Sequence, residues 1–262
     1  MNARYPDLEG EPEIGEQAWL DLLRVRDGAA VSSALLTGDP RGDLYLPLLG
    51  PPPPGRPFVS AHLAQSLDGV IASHGGQSQW ITGEADLDHT HRMRALADAV
   101  VVGANTIAAD DPRLTVRRVP GPQPLRVVLD PGRRLDAHHQ VFADGRADTM
   151  LVCDRALAAR PCGRARVLGL PTQDGVFRVE AILDLLWATG CRRVFVEGGG
   201  YTVSAFLEAG LLDRLHLVVA PVLMGGGRPG IRFSQARGPH DGLRPPARAH
   251  ALGCDTLFDC AF

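Results

Sequence analysis

Three consecutive glycines separate an apolar, strand-like run from a helical pattern. Arg193–Val196 is followed by Glu197 and Gly198–Gly200, and the helical pattern begins near Thr202. Glycine lets the backbone approach a ligand closely, and the free amides of a helix N-terminus attract anions such as a dinucleotide phosphate. A tight turn that needs glycine for backbone reasons alone accounts for the same residues equally well. It is not a Rossmann fingerprint, because no early strand-turn-helix unit carries it.

Ionisable residues at other strand and helix ends extend this candidate site. Glu197 ends its strand-like run where open α/β sheets place ligand-binding groups. The guanidinium groups of Arg94 and Arg117 suit a sugar phosphate, although either alone is more often a solvated surface charge. Asp68, in Ser-Leu-Asp-Gly, fits a tight turn, and it also fits an acid that protonates or polarises a substrate during hydride transfer.

The composition excludes several kinds of chemistry. All 27 basic residues are arginine. Without lysine, pyridoxal-phosphate chemistry, Schiff-base aldol chemistry and the P-loop are excluded. Asp86, Asp88, His89 and His91 look like metal ligands, but the two histidines would point to different faces of a helix and HExxH is absent. The sequence therefore predicts no metal site.

Charge and hydropathy favour a small-molecule partner. The net charge of -3 gives no basic surface for nucleic acid or for an anionic membrane. There is no apolar signal-peptide core and no apolar stretch of about 20 residues. We therefore expect a soluble, cytoplasmic protein. Its odd number of scattered cysteines is typical of reduced thiols; they are Cys153, Cys162, Cys191, Cys254 and Cys260.

The elements that position these residues are those of an α/β protein. A helix is predicted over Glu16–Arg26, and the polyproline run Pro51–Gly55 reads as a stiff linker. Apolar strand-like runs then alternate with helical patterns, which favours a largely parallel sheet. The runs are Pro57–Ala64, Ala99–Val102, Leu125–Asp130, Met150–Cys153, Ala165–Leu168, Arg193–Val196 and Leu215–Ala220. The last run, Thr256–Phe262, is predicted as an antiparallel strand near an edge.

One predicted helix carries a candidate ligand. It spans Gly83–Ala97, with Thr82 as the N-cap and acidic residues in its first turn. Its inward stripe consists of His89, Met93 and Leu96. Arg94 flanks that stripe, so we expect it to reach the rim of a cleft.

Several segments, in this order and spacing, together identify a family. They are Ala64–Ala72 (AQSLDGVIA), Ser78–Thr82 (SQWIT), Gly103–Arg117 (GANTIAADDPRLTVR), Arg193–Thr202 (RVFVEGGGYT) and Ala220–Gly227 (APVLMGGG). Over Pro57–Phe262 the chain resembles the C-terminal reductase domain of the bifunctional riboflavin-biosynthesis deaminase/reductase. The resemblance implies a dihydrofolate-reductase-like three-layer sandwich, with a mixed, mostly parallel sheet. The sequence lacks the family's zinc-deaminase signature, so we expect reduction only.

The resemblance also implies a cofactor, a substrate and residue roles. NADPH would contact Ala64, Trp80, Thr106, Asp110, Gly199, Gly200, Tyr201 and Thr202. The phosphoribosylamino-pyrimidine substrate would contact Ser78, Arg94, Leu114, Arg117 and Glu197. Asp68 and Glu197 are the catalytic candidates, and a homodimer is expected. A residue for the 2′-phosphate cannot be derived from the sequence; Arg133 and Arg134 are candidates.

The sequence thus predicts an N-terminal extension, 1–55, that packs on a reductase domain, 56–262. The predicted activity is the NADPH-dependent reduction of 5-amino-6-(5-phosphoribosylamino)uracil to its ribitylamino form. Two alternatives remain open: a related reductase of another heterocycle, such as a dihydropterin, and a non-catalytic nucleotide-binding protein.

Overall fold

The computed structural model describes residues 14–31, 42–78, 81–233, 237–238 and 240–262. The helices are α1 (Glu16–Arg26), α2 (Gly42–Tyr45), α3 (Glu84–Leu96), α4 (Ala104–Asp110), α5 (Gln140–Ala143), α6 (Val179–Ala188) and α7 (Gly200–Glu208), with 3₁₀ turns at Leu46–Leu49 and Arg155–Leu157. The strands are β1 (Phe58–Ser66), β2 (Val70–Ala72), β3 (Ala99–Gly103), β4 (Leu125–Leu129), β5 (Thr149–Asp154), β6 (Arg166–Leu170), β7 (Arg193–Glu197), β8 (Arg214–Ala220), β9 (Arg228–Pro229), β10 (Ala247–Leu252) and β11 (Asp255–Ala261).

Nine of the strands in the described residues form one mixed sheet. Their order is β10-β11-β8-β1-β7-β3-β4-β5-β6, and the pairs from β8 to β6 are parallel. β11 runs antiparallel to β8, and β10 runs antiparallel to β11. The predicted α/β class, the mostly parallel sheet and the antiparallel C-terminal strand are confirmed. β10, which the sequence analysis did not predict, forms the edge beside β11.

The sheet is the middle of three layers because its central strands are apolar on both faces. In β3, Val100 and Val102 pack into one apolar cluster, and Ala99 and Val101 pack into the other. The first cluster lies beneath α1, α3, α4 and α5, whereas the second lies beneath α6 and α7. Strands that are buried on both faces read as continuous apolar runs, which is why the sequence shows them clearly.

The residues before the proline run pack on the same core. Trp19 and Leu22 of α1 are buried in the first apolar cluster. The indole Nε1 of Trp19 donates to the carbonyl of Pro120 at 2.9 Å. Tyr45 of α2 is buried, and its hydroxyl lies 2.9 Å from Nδ1 of His89 on α3. The N-terminal segment therefore covers the helix that carries Arg94.

The predicted cap of α3 is wrong. Gly83 is the N-cap residue, and no side chain caps the helix there. The hydroxyl of Thr82 instead donates to Oδ2 of Asp86 at 2.7 Å. The side chain of Thr82 is therefore bonded to a carboxylate in the helix and caps no backbone amide. The inward stripe is confirmed, since His89, Met93 and Leu96 are buried.

All five cysteines are free thiols in this structure, and four of them are buried. Within the described ranges, no helix has both the length and the apolar composition needed to cross a bilayer.

Candidate functional site

A large cavity lies where β1 and β7 end at their carboxyl sides. Its volume is about 1150 Å³, which exceeds the usual range of a single small-ligand pocket. The walls come from the ends of β1 and β7, from α3 and α4, and from the segment around β9. Open α/β sheets bind ligands at this edge, because the loops and helix N-termini converge there.

The glycine turn forms one end of the cavity. Gly198 and Gly199 adopt φ of 65° and 71°, a left-handed region that favours glycine. Gly200 begins α7, and a Cβ there would lie 2.1 Å from the carbonyl oxygen of Gly230. The turn therefore needs glycine for backbone reasons. It also leaves the N-terminus of a nine-residue helix at the cavity, where the helix dipole favours an anion.

An arginine–carboxylate pair lies in the cavity wall. Nε and Nη2 of Arg94 donate to the two carboxylate oxygens of Glu197 at 2.6 and 2.5 Å. Nη1 of Arg94 donates to the carbonyl of Thr115 at 3.0 Å. Arg94 is buried, so it lies inside the cleft rather than at the rim that its sequence position suggested. This fork fixes the orientation of the Glu197 side chain.

Positive charge gathers beside this pair. Arg117 lines the cavity, and within the described part of the chain its guanidinium donates only to Thr115. Burial lowers the pKa of Arg117, and the nearby cations Arg94 and Arg113 lower it further. Nδ1 of His91 accepts the backbone N–H of Arg117 at 3.0 Å. A cation that lies close to other cations is stabilised strongly when a phosphate binds to it.

Ser78 and Asp110 meet across the cavity, since the serine hydroxyl donates to Oδ1 of Asp110 at 2.9 Å. They come from the loop after β2 and from the end of α4. The structure also brings most of the other predicted site residues to the cavity lining: Ala64, Arg94, Thr106, Arg117, Glu197, Gly199, Gly200 and Tyr201.

Other predicted residues do not reach the cavity lining. Asp68 is exposed, and it accepts hydrogen bonds from Ser66 and from the amides of Met224 and Gly225, which lower its pKa to about 2. Its geometry is that of a turn carboxylate. Leu114 is buried in the first apolar cluster.

Thr202 is buried at the first turn of α7. Trp80 lies outside the described residues. Of the two candidates for the 2′-phosphate, Arg133 is buried and donates to the carbonyls of Arg160 and Pro161. Arg134 is exposed and donates to Asn105, which lines the cavity.

Three ionisable residues of the cavity lining were not predicted from the sequence. Arg228 and Arg232 line the glycine-turn end, and His62 of β1 lies in the wall beside Glu197. His62 could have been noticed as a histidine inside an otherwise apolar strand. The two arginines follow a second glycine-rich run whose position relative to the cavity the sequence did not indicate.

The fold and the cavity define a class of protein. It is an α/β protein with an anion-attracting helix N-terminus and an arginine–carboxylate pair in the lining of one cavity. Such a site suits a nucleotide and a second, phosphorylated ligand. Residues 57–240 match the model of the RibD C-terminal domain, and the chain belongs to that family.

Curated relatives are stand-alone and two-domain proteins. The 2,5-diamino-6-ribosylamino-4(3H)-pyrimidinone 5′-phosphate reductase of Methanothermobacter thermautotrophicus is 38% identical over 176 residues, which is 65% of this chain and 81% of that protein. The riboflavin biosynthesis protein RibD of Bacillus amyloliquefaciens is 35% identical over 66% of this chain. The chain spans only 47% of that RibD.

Solved structures show the same fold. A Thermotoga maritima deaminase/5-amino-6-(5-phosphoribosylamino)uracil reductase matches with a TM-score of 0.68 at 29% identity, covering 79% of this chain and 56% of that one. The Saccharomyces riboflavin biosynthesis reductase Rib7 matches with a TM-score of 0.65 at 17% identity, covering 80% and 91%.

Proposed function

We propose that the protein is an NADPH-dependent reductase that converts the ribosyl group of a phosphoribosylamino-pyrimidine to the ribityl group. The observation that carries the proposal is that one cavity joins the glycine turn before α7 to the Arg94–Glu197 pair. A dinucleotide and a sugar phosphate then lie end to end. The Methanothermobacter relative is named a 2,5-diamino-6-ribosylamino-4(3H)-pyrimidinone 5′-phosphate reductase, which supports the same reaction class.

The cofactor belongs at the glycine-turn end. The amides of Gly199, Gly200 and Tyr201 face its phosphates, and the cations Arg228 and Arg232 line the same end. Thr106 and Asp110 of α4 and Ala64 of β1 line the same cavity, and Thr106 lies next to Gly199. When bound, NADPH supplies the hydride. Trp80 and Thr202 stay candidate contacts from the family resemblance.

The substrate belongs at the arginine end. Arg117 binds the phosphate, because its guanidinium lacks a carboxylate partner in the described residues. Glu197 accepts hydrogen bonds from the amino groups of the pyrimidine, and Arg94 fixes the orientation of that carboxylate. Ser78 orients the ligand from the opposite side. The side chain of Leu114 is buried in the first apolar cluster. Leu114 would therefore contact the substrate through its backbone.

The test follows NADPH absorbance with four additions: the deaminated uracil substrate, its 2,5-diamino pyrimidinone counterpart, a dihydropterin and buffer alone. We expect oxidation with one or both pyrimidine phosphates. Turnover with the dihydropterin only would replace the proposal by the pterin alternative. Tight NADPH binding without turnover of any substrate would leave a nucleotide-binding protein.

A matched pair of arginine variants tests the site. Arg117→Ala should raise the substrate KM by about 10- to 100-fold, because it removes a charge-assisted contact. Arg118→Ala is the control, since Arg118 pairs with Glu84 and Asp88 on the surface. NADPH affinity should stay the same in both. Equal KM values for the two variants would refute the assignment.

Three further predictions remain proposals: a homodimer, a cytoplasmic location, and a reductase domain over 56–262 that follows an extension over 1–55. Sedimentation of the purified chain tests the first.

A further inference from the structure

A row of ionisable side chains crosses the sheet beside the cavity. In the strand registers, His62 of β1 is paired with Glu197 of β7 on one side and with His216 of β8 on the other, and His216 is paired with Asp259 of β11. His62 is buried yet lines the cavity. It is the member of this row that stands directly beside Glu197 in the proposed substrate end.

His62 is held by a carboxylate on the helix above it. Nε2 of His62 lies 2.7 Å from Oδ1 of Asp86, and both side chains are more than nine-tenths buried. The other oxygen of Asp86 accepts the hydroxyl of Thr82 at 2.7 Å. Within the described residues, Nδ1 of His62 has no hydrogen-bond partner. A buried histidine bonded to a fixed carboxylate through one nitrogen presents its other N–H to a ligand.

The surrounding charges favour the protonated imidazole. Burial lowers the pKa of His62, but Asp86 and then Glu197 raise it more, and the net shift is upward despite the opposing charge of Arg94. Two neighbouring histidines face the same ring. His89 of α3 has its ring centroid 5.6 Å away, and His216 is the cross-strand neighbour. Burial lowers the pKa of His216, which favours its neutral form beside a charged His62.

The other ionisable groups in the cavity wall are poorly suited to donate a proton. Both carboxylate oxygens of Glu197 already accept hydrogen bonds from Arg94, and Asp110 accepts a hydrogen bond from a serine hydroxyl. Arginine does not release its proton in proteins. Tyr201 is 64% exposed, at the glycine-turn end.

We propose that His62, held by Asp86, donates the proton that opens the ribose ring during the reduction. This inference rests on the proposed function. In the step, the bond between C1′ and the ring oxygen breaks, and its electron pair stays on the oxygen. That oxygen takes the proton from Nδ1 of His62. The new C1′–H bond forms with the hydride, and hence the electron pair, from the reduced nicotinamide cofactor. His62 is left neutral and is reprotonated from solvent.

The kinetic test compares His62→Gln, Asp86→Asn and wild type across pH. Wild-type kcat should fall as pH rises through the pKa of His62, because the donor must carry its proton. The fall of kcat at high pH is the alkaline limb of the profile. His62→Gln should lose about 10²- to 10⁴-fold in kcat, and its profile should lack this limb. Asp86→Asn should shift the limb to lower pH, because the stabilising anion is gone.

The control is His139→Gln, since His139 also lies beside an aspartate, Asp111, but outside the cavity lining. It should keep the wild-type pH profile. NADPH affinity and the thermal midpoint of each variant show whether it is folded. Should Asp86→Asn misfold, Thr82→Val removes the hydroxyl that donates to the same carboxylate. The carboxylate then stabilises the protonated imidazole more strongly, so the limb should move to higher pH.

A readout without cofactor or substrate completes the test. In the ligand-free protein, the imidazole signal that disappears in His62→Gln should titrate above the ordinary histidine pKa. A His62→Gln enzyme with kcat within threefold of wild type, or with the alkaline limb intact, would overturn the inference alone. If the wild type turns over no pyrimidine phosphate, the proposed function fails, and this step fails with it.

Discussion

A neutral histidine positions the proposed phosphate ligand. Burial, and then the charges of Arg94, Arg117 and Arg118, lower the pKa of His91 to about 3. The ring therefore stays uncharged at neutral pH, and its Nδ1 accepts the N–H of Arg117. His91 thus acts through Arg117 and is a positioning residue.

Replacing His91 should weaken substrate binding without affecting the cofactor. His91→Leu leaves the N–H of Arg117 without an acceptor, which costs about 1–3 kcal/mol, and part of that cost should appear as a higher substrate KM. His91→Asn is the matched variant, because its side-chain oxygen can reach the position of Nδ1. Measured kcat, substrate KM and NADPH affinity separate the effects. A substrate KM that is unchanged in His91→Leu would contradict the positioning role.

At the scale of elements, a substitution in the turn before α7 tests whether a close backbone contact positions the proposed cofactor-binding part of the cavity. A Cβ on Gly200 would collide with the carbonyl of Gly230 next to β9. Gly200→Ala should therefore push α7 away from that segment and lower the free energy of unfolding by about 1–3 kcal/mol. It should also weaken NADPH binding, because the helix N-terminus moves.

Gly132→Ala is the control for this change. A Cβ there would meet only the flexible side chain of Arg134, at ordinary contact distance, and no positive φ is involved. Its stability should remain within about 0.5 kcal/mol of wild type. Chemical denaturation and a fluorescence titration with NADPH give both quantities. Identical NADPH affinities for Gly200→Ala and wild type would show that the turn does not hold the phosphates.

The strands could be predicted from the sequence where burial on both faces leaves a continuous apolar run. β3 and β7 are examples, and their predicted and observed bounds differ by one residue at the C-terminal end. β10 reads Arg-Ala-His-Ala in its centre, because an edge strand buries little, and so it was missed. β2 and β9 span three and two residues, too few for any periodicity.

The site was predictable only where the family pattern marked it. From the sequence, Asp68 could be either a turn residue or an acid in the cleft. The structure is needed to distinguish the two roles, because they depend on where Met224 and Gly225 lie in the fold. The role of His62 was invisible for the same reason. Its significance comes from the register with Glu197 and from Asp86 on another element.

At the scale of the whole molecule, the N-terminal segment and the sheet share one apolar cluster. Leu22 of α1 is fully buried there, together with Met93 of α3 and Phe195 of β7. The carbonyl of Arg26 accepts a hydrogen bond from Arg193, which begins β7. Because these contacts join the extension to the helix and strand that carry Arg94 and Glu197, we expect both parts to unfold together.

Leu22→Ala tests this coupling. The lost burial and the resulting cavity should lower the free energy of unfolding by about 2–5 kcal/mol. Leu157→Ala, at an exposed leucine, should change it by less than about 0.5 kcal/mol. Circular dichroism should show one transition in both variants. Hydrogen exchange in Leu22→Ala should accelerate in peptides from β1 and β7 as well as in α1. Fast exchange in α1 alone, with the sheet still protected, would mean that the extension unfolds independently of the sheet and of the helix that it covers.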